Sequence, residues 1–455
     1  MSALTCFKAY DIRGRLGTEL TPEIATRIGR AFARVLGARR VVIGRDIRPT
    51  SAELSEATVA GLLAEGVEVL DLGLSGTEEM YFATTHFDAD GGICVTASHN
   101  PIDYNGMKMV KRGSAPLGSD SGLGAIRAAA EAGGFGEGKP GGSHRPAEGA
   151  RAAYVERVLS IIDTAALRPL KIVVNAGNGA AGPTFDALAE GLAARGAPLA
   201  FTRIHHEPDG SFPNGIPNPL LTENRPATAR AVIEAGADFG VAWDGDFDRC
   251  FLFDHTGRFI DGEYVVGLLA EAFLAKEAGA TIVHDPRVIW NTQDVIAGAG
   301  GKAVVCRTGH AFFKQALRDH GAVYGGEMSA HHYFRDFVSC DSGMIPWLLV
   351  AELLGRSGHT LAAHLDARIT AFPSSGEINF RVADAQATVA RVRAAMEPGA
   401  IGLDEIDGLS LSFGDWRFNL RASNTEPLLR LNVEARGDRA LLEAGVARLR
   451  ALIEG

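Results

Sequence analysis

The sequence predicts an α/β protein of several domains. Short β-branched runs alternate with segments of helical periodicity, turn-rich polar loops follow several apolar runs, and 455 residues exceed the roughly 150 that one compact core commonly organises. Thr21 followed by Pro22 reads as an N-cap and first helical residue; Ile24, Ile28, Phe32 and Leu36 then recur at helical spacing until Gly37. Arg40 to Ile43 follows as a buried strand. Comparable runs lie at Val67 to Leu72, Gly92 to Val95, Lys171 to Val174, Phe239 to Trp243, Cys250 to Phe253, Thr281 to His284 and Ala303 to Cys306. Ile378 to Val382, Phe418 to Leu420 and Leu428 to Val433 have more period-2 character.

The Gly-rich stretch Gly133 to Gly142 reads as a linker, and expected domains span 1–150, 151–254, 255–370 and 371–455. Ala89 to Val95 and Ala237 to Trp243 share three identities in seven positions. If this marks a repeated unit, Thr96-Ala97-Ser98 overlies Asp244-Gly245-Asp246, and two polar loops leave equivalent strand ends, where open α/β sheets bind ligands.

Composition narrows the function. With 46% hydrophobic and 22% charged residues the chain is neither disordered, collagenous nor a coiled coil. A formal net charge of −10 advertises no surface for nucleic acid or anionic lipid, so an anionic ligand must be held by a few local cations. Cys6, Cys94, Cys250, Cys306 and Cys340 are odd in number and widely spaced, which argues against a disulfide framework or structural zinc and for a reducing cytoplasm. No signal peptide is expected, nor a membrane span: Met344 to Leu354, among the most apolar stretches, is interrupted by Glu352 and falls short of about 18 residues.

Asp244-Gly245-Asp246-Phe247-Asp248-Arg249 places three carboxylates at alternate positions directly after an apolar strand. Their repulsion is relieved by a hard cation, and a short all-oxygen set suits Mg²⁺ shared with a phosphate; a solvated acidic turn is the competing reading. Thr96-Ala97-Ser98-His99-Asn100-Pro101 puts a hydroxyl beside an imidazole without a G-x-S-x-G elbow. It reads as an ordinary turn alone and as a phosphate-carrying serine when paired with the Asp loop. Arg421-Ala422-Ser423-Asn424-Thr425-Glu426-Pro427, followed by Arg430, suits a phosphate dianion or a turn between strands. In Gly325 to His332, Glu327 and Ser329 offer groups for sugar hydroxyls, and the adjacent His331 and His332 do not make a zinc site.

Together with Phe7-Lys8-Ala9-Tyr10-Asp11-Ile12-Arg13-Gly14, these motifs in this order resemble the α-D-phosphohexomutase superfamily across essentially the whole chain. Within it, the Glu-Met-Ser form at Glu327 to Ser329 resembles the bacterial phosphomannomutase branch, which includes enzymes also active as phosphoglucomutases. The resemblance implies three related mixed α/β sheet domains plus a C-terminal α+β domain around a central cleft. It makes Ser98 a phosphoserine that, with Asp244, Asp246 and Asp248, holds Mg²⁺. Arg13, Lys108 and Arg249 would surround the reacting phosphoryl group, and His331 or Lys108 would carry protons. Tyr10, Thr308, Gly309, His310, Glu327 and Ser329 would bind the hexose phosphate, while Arg421, Ser423, Asn424, Thr425 and Arg430 clamp its non-reacting phosphate.

The implied reaction interconverts mannose 6-phosphate and mannose 1-phosphate through a bisphosphorylated sugar, with hexose 1,6-bisphosphate as activator. Glucose phosphates are further candidate substrates, and a mainly glucose-directed mutase, a sugar-phosphate phosphatase and a non-catalytic sensor are the competing functions.

Overall fold

Thr21 caps the helix Pro22–Leu36 as its sequence predicts: its Oγ1 accepts from Ile24 N at 3.3 Å, and Gly37 ends the helix with φ 59°. Ile28 and Phe32 on its inner face share one core with Val41, Ile43, Val69, Ile93 and Met107. Such side chains each contribute about 1.5–3 kcal/mol on burial. The computed structural model describes residues 3–422 and 428–455. It divides into two units, residues 1–259 with 331–358, and residues 260–330 with 359–455.

In the first unit, a seven-stranded sheet contains β1 (Ile12–Arg15), β2 (Arg40–Arg45), β3 (Glu68–Leu74), β4 (Gly91–Val95), β5 (Tyr104–Lys111), the two-residue β6 (Ala115–Pro116) and β7 (Ser143–Pro146). The order is β1-β5-β4-β2-β3-β7, with β6 beside β5. A four-stranded sheet contains β8 (Leu170–Asn175), β9 (Leu199–Ile204), β10 (Phe239–Trp243) and β11 (Cys250–Asp254), ordered β11-β10-β8-β9. In the second unit, β12 (Thr281–His284) lies parallel between β13 (Lys302–Val305) and β14 (Tyr324–Gly326). Residues 331–358 return to the first unit with the antiparallel pair β15 (His332–Phe334) and β16 (Cys340–Asp341) and the helix Met344–Ser357. The second unit ends in an antiparallel sheet, order β17-β21-β20-β19-β18: β17 (Ser374–Arg381), β18 (Gly402–Asp404), β19 (Leu409–Ser412), β20 (Trp416–Ala422) and β21 (Leu428–Ala435).

The suspected repeat has a structural counterpart. β3, β2 and β4 run parallel with β5 antiparallel beyond them; β9, β8, β10 and β11 repeat that pattern, and β13, β12 and β14 repeat its parallel part. The sheets are therefore mixed: Cys250 to Phe253 pairs antiparallel with β10 as the return strand of a hairpin. β4 and β10, each buried throughout, are the equivalent strands, and their C-terminal ends release the Ser98 and Asp244 loops.

The Gly-rich stretch is not a free linker. Phe135 lies under Arg30 and Arg34, with guanidinium-to-ring distances of 5.0 and 4.9 Å, and Lys139 N donates to Ala64 O at 2.9 Å. The stretch then enters β7, which adds to β3 in parallel. Among the described residues, no helix is long and apolar enough to cross a membrane.

Glu263, at the start of the helix Gly262–Lys276, is 2% exposed. Burial, reinforced by Asp261 and Asp285 and opposed by the Ser374 hydroxyl, pushes it up to about 8. The folded chain then holds a proton that the unfolded chain loses above the ordinary carboxylate range, so this residue makes stability fall as pH rises from about 4.5 to 8. Glu263→Gln is expected to flatten that slope and raise the melting temperature at pH 8 by several degrees. Parallel melting curves for both proteins would contradict this.

Candidate active site

Ser98 is displayed by a strained turn. Its φ is 50°, a left-handed value that costs a non-glycine residue about 1–2 kcal/mol. Ser98 N donates to Thr96 Oγ1 at 2.8 Å. Arg48, buried behind the loop, donates to the carbonyls of Ser98 (3.0 Å), Pro101 (2.9 Å), Tyr104 (3.1 Å) and Asn100, and pairs with Asp46 at 3.5 Å. The Ser98 hydroxyl donates to Asp244 Oδ2 at 2.6 Å and lies 3.0 Å from His99 Nδ1.

The Asp244–Asp248 loop turns out of β10 at once because β11 returns from Cys250, opposite Trp243. Gly245 is required there: a Cβ would lie 2.5 Å from the Ser98 carbonyl oxygen. Asp246 Oδ2 accepts from Thr77 Oγ1 at 2.6 Å and pairs with Lys108 Nζ at 2.8 Å; Lys108 Nζ also donates to Asp248 Oδ2. β5 supplies this lysine, with Lys108 opposite Cys94 of β4.

The outer oxygens, Oδ1 of Asp244, Asp246 and Asp248, are buried and accept no hydrogen bond among the described residues; the last lies 3.5 Å from His331 Nε2. One ligand atom from each of the three carboxylates falls within a 4.8 Å cluster, so the triplet can hold a metal ion. Burial and the Asp248 charge raise Asp244. Asp248 is held well below the usual carboxylate range: Lys108 and His331 outweigh its burial.

Around this centre Arg249 Nε donates to His331 Nε2 at 3.1 Å and lies 3.7 Å from Asp244 Oδ2. Arg13, on β1, donates to Asn100 Oδ1 at 2.8 Å. Tyr10 is half-buried in the turn before β1. The first unit thus brings together Ser98, the Asp triplet, Arg13, Lys108, Arg249 and His331. Arg48, Asp46 and Thr77 were not anticipated from the sequence.

The second unit gathers the other predicted residues. Gly309, with φ 135°, donates its N–H to Glu327 Oε1 at 2.9 Å; Thr308 N meets Asp407 Oδ2 at 3.3 Å, and His310 starts the helix His310–His320. Ser329 Oγ accepts from Arg287 Nη2 at 3.4 Å, and Arg287 is paired with Asp285 at 2.7 Å. Arg421 and Arg430 sit opposite each other on β20 and β21 and converge on Glu377 of β17. Ser423, Asn424 and Thr425 lie outside the described residues. Arg287 and Glu377 are further residues that the sequence reading missed.

Ser98 thus sets its hydroxyl, on a strained turn at the end of one of the repeated α/β sheets, against Asp244 of a buried carboxylate triplet that can hold a metal ion, with guanidinium and ammonium groups around it. The family comparison makes this specific. Residues 5–136, 152–257 and 261–372 match the α/β/α domains I, II and III of phosphoglucomutase/phosphomannomutase, and 377–452 match its C-terminal domain. The chain belongs to the phosphoglucomutase/phosphomannomutase family. It is 58% identical to a phosphomannomutase of Salmonella montevideo over 455 residues, covering all of both chains. It is likewise 58% identical to a phosphohexose mutase of Xanthomonas campestris, covering 99% of this chain and 100% of that one. A solved phosphoglucomutase/phosphomannomutase family protein from Burkholderia thailandensis superposes with a TM-score of 0.88 at 34% identity, covering 100% of this chain and 98% of its own.

Proposed function

We propose that this protein is a phosphomannomutase that interconverts mannose 6-phosphate and mannose 1-phosphate. The observation that carries this reading is the Ser98 hydroxyl, 2.6 Å from Asp244 Oδ2 on a turn that displays it to the carboxylate triplet. Phosphorylated Ser98 gives its phosphoryl group to the free sugar hydroxyl: the Ser98 Oγ–P bond breaks, a sugar O–P bond forms, and the hydroxyl proton passes to His331 Nε2, which gives up its contact with Arg249 and, once protonated, faces Asp248 Oδ1 at 3.5 Å. The resulting hexose 1,6-bisphosphate turns over, and transfer of its other phosphoryl group restores phosphoserine and releases the isomer. Hexose 1,6-bisphosphate also primes enzyme whose serine is bare.

Asp244, Asp246 and Asp248, with the Ser98 phosphate, would hold Mg²⁺, which neutralises charge spread over the transferring group. Lys108 is bonded to two carboxylates and serves as a fixed cation. Arg13 and Arg249 add guanidinium donors. Glu327 and Ser329 bind sugar hydroxyls, and Arg421 and Arg430 the non-reacting phosphate. In functional terms 1–150 carries the phosphoserine, 151–254 the metal loop, 255–370 the sugar loops and 371–455 the phosphate loop. All five cysteines are free thiols, which supports a reducing, cytoplasmic setting.

The test is turnover of purified protein on mannose 1-phosphate and, separately, glucose 1-phosphate, with Mg²⁺ and catalytic hexose 1,6-bisphosphate. The 6-phosphate is expected to form without matching free phosphate, and rates on the two sugars measure how far glucose is accepted. Free phosphate without isomer would replace this reading with a phosphatase, and binding without reaction with a sensor.

A further inference from the structure

Glu377 stands where three guanidinium groups converge. Its Oε2 lies 3.4 Å from Arg287 Nη1 and 3.3 Å from Arg421 Nη2, and its Oε1 lies 3.6 Å from Arg430 Nη1. Each distance exceeds the roughly 2.8 Å of a tight charge-assisted bond, so the carboxylate attracts all three groups and saturates none of them. Nε of Arg287 and Nε of Arg421 are buried and meet no acceptor among the described residues.

The register explains the convergence. Arg430 is opposite Arg421 on one side and Asn379 on the other, and Glu377 is two residues from Asn379, so the three charged residues share one sheet face. Arg287 joins them with its own partner, Asp285, which also accepts from the N–H groups of Arg287 and Met328. Arg287 and Arg421 are almost fully buried, whereas the Arg430 and Glu377 side chains are each 24% exposed. A solute therefore meets the carboxylate and one arginine first.

We propose that Glu377 is a built-in counter-anion of this phosphate clamp, which positions the three arginines before a ligand arrives and weakens their grip once it has bound. The proposal rests on the mutase reading, in which one clamp holds each phosphate of the bisphosphorylated sugar in turn. Without Glu377, Arg421 and Arg430 on one sheet face would repel each other and the Asp285-paired Arg287, and the carboxylate holds the three convergent. Its negative charge then opposes an incoming dianion. An over-tight clamp would lower KM and hold back the intermediate without assisting either transfer. Glu377 is a positioning residue, since the reacting atoms are elsewhere.

Glu377→Gln keeps the shape and removes the charge. Titrated with inorganic phosphate, the full-length variant is expected to show a Kd about tenfold lower than wild type. With mannose 1-phosphate, KM and kcat should fall together, whereas Glu377→Asp should stay within about twofold of wild type in all three quantities, a rescue that a purely packing role would not produce. Unchanged or weaker phosphate binding in Glu377→Gln overturns the proposal. Should that variant be poorly folded, the rise in melting temperature on adding phosphate decides: a larger rise than in wild type supports the counter-anion, and an equal or smaller one overturns it. A wild-type protein that isomerises no sugar, beside a variant that still tightens on inorganic phosphate, would remove the mutase reading while leaving the counter-anion in place.

Discussion

Ser98→Ala is expected to lower mutase turnover by at least about a thousandfold while leaving mannose 6-phosphate binding measurable by calorimetry. The substitution removes the hydroxyl held against Asp244 and leaves the other groups of both units intact. The hydroxyls of Thr96 and Thr77 are already engaged, with Ser98 N and Asp246, and are not expected to replace it. Loss of turnover with retained binding separates phosphoryl transfer from recognition. Turnover within tenfold of wild type would remove Ser98 from its role.

Lys108→Met is the second large effect, and it is read in stability as well as rate. Lys108 is 3% exposed, and its ammonium group bridges Asp246 and Asp248, two of three carboxylates buried together. Removing one partner of such a buried pair costs about 3–5 kcal/mol, because the remaining charges lose their compensation. In chelator, the variant is expected to melt well below wild type, and millimolar Mg²⁺ should restore more of that loss than it adds to wild type. Turnover should fall by about a thousandfold even when Mg²⁺ saturates, since the fixed cation is gone. Equal Mg²⁺ shifts in the two proteins would contradict this picture of the triplet.

What could be read in the sequence was whatever is local. Ser98 and the Asp244–Asp248 loop each follow directly on a buried strand, so one segment reveals both the strand and the chemistry at its end. The seven-residue likeness between β4 and β10 also placed those two loops in register. β7 was not legible: Ser143-His144-Arg145-Pro146 is exposed throughout and joins the sheet only because β3 offers an edge. β9 was missed for the same reason: its residues are half-buried or exposed, and none is buried.

Residues that act across long sequence separations were equally hidden. Arg48 reaches carbonyls some fifty positions away, and Glu377 meets Arg287 across ninety. One repeat signal could have found the arginines. Asp46-Ile47-Arg48 follows β2 and Asp285-Pro286-Arg287 follows β12, and in each the aspartate accepts from the arginine N–H at 2.9 Å and pairs with its guanidinium. At the end of β8 the equivalent turn is Asn175-Ala176-Gly177, which has the same N–H bond at 2.9 Å and a glycine in the arginine's place. The first and third copies of the α/β unit thus each present a buried guanidinium where the second presents backbone alone.

The most direct test of the phosphoserine account is phosphopeptide mapping of protein treated with one equivalent of hexose 1,6-bisphosphate, then chased with mannose 6-phosphate. The account predicts a single phosphoryl group on Ser98 that disappears in the chase as hexose bisphosphate forms. A phosphoryl group on another residue, or one lost from Ser98 only as free phosphate, would contradict it.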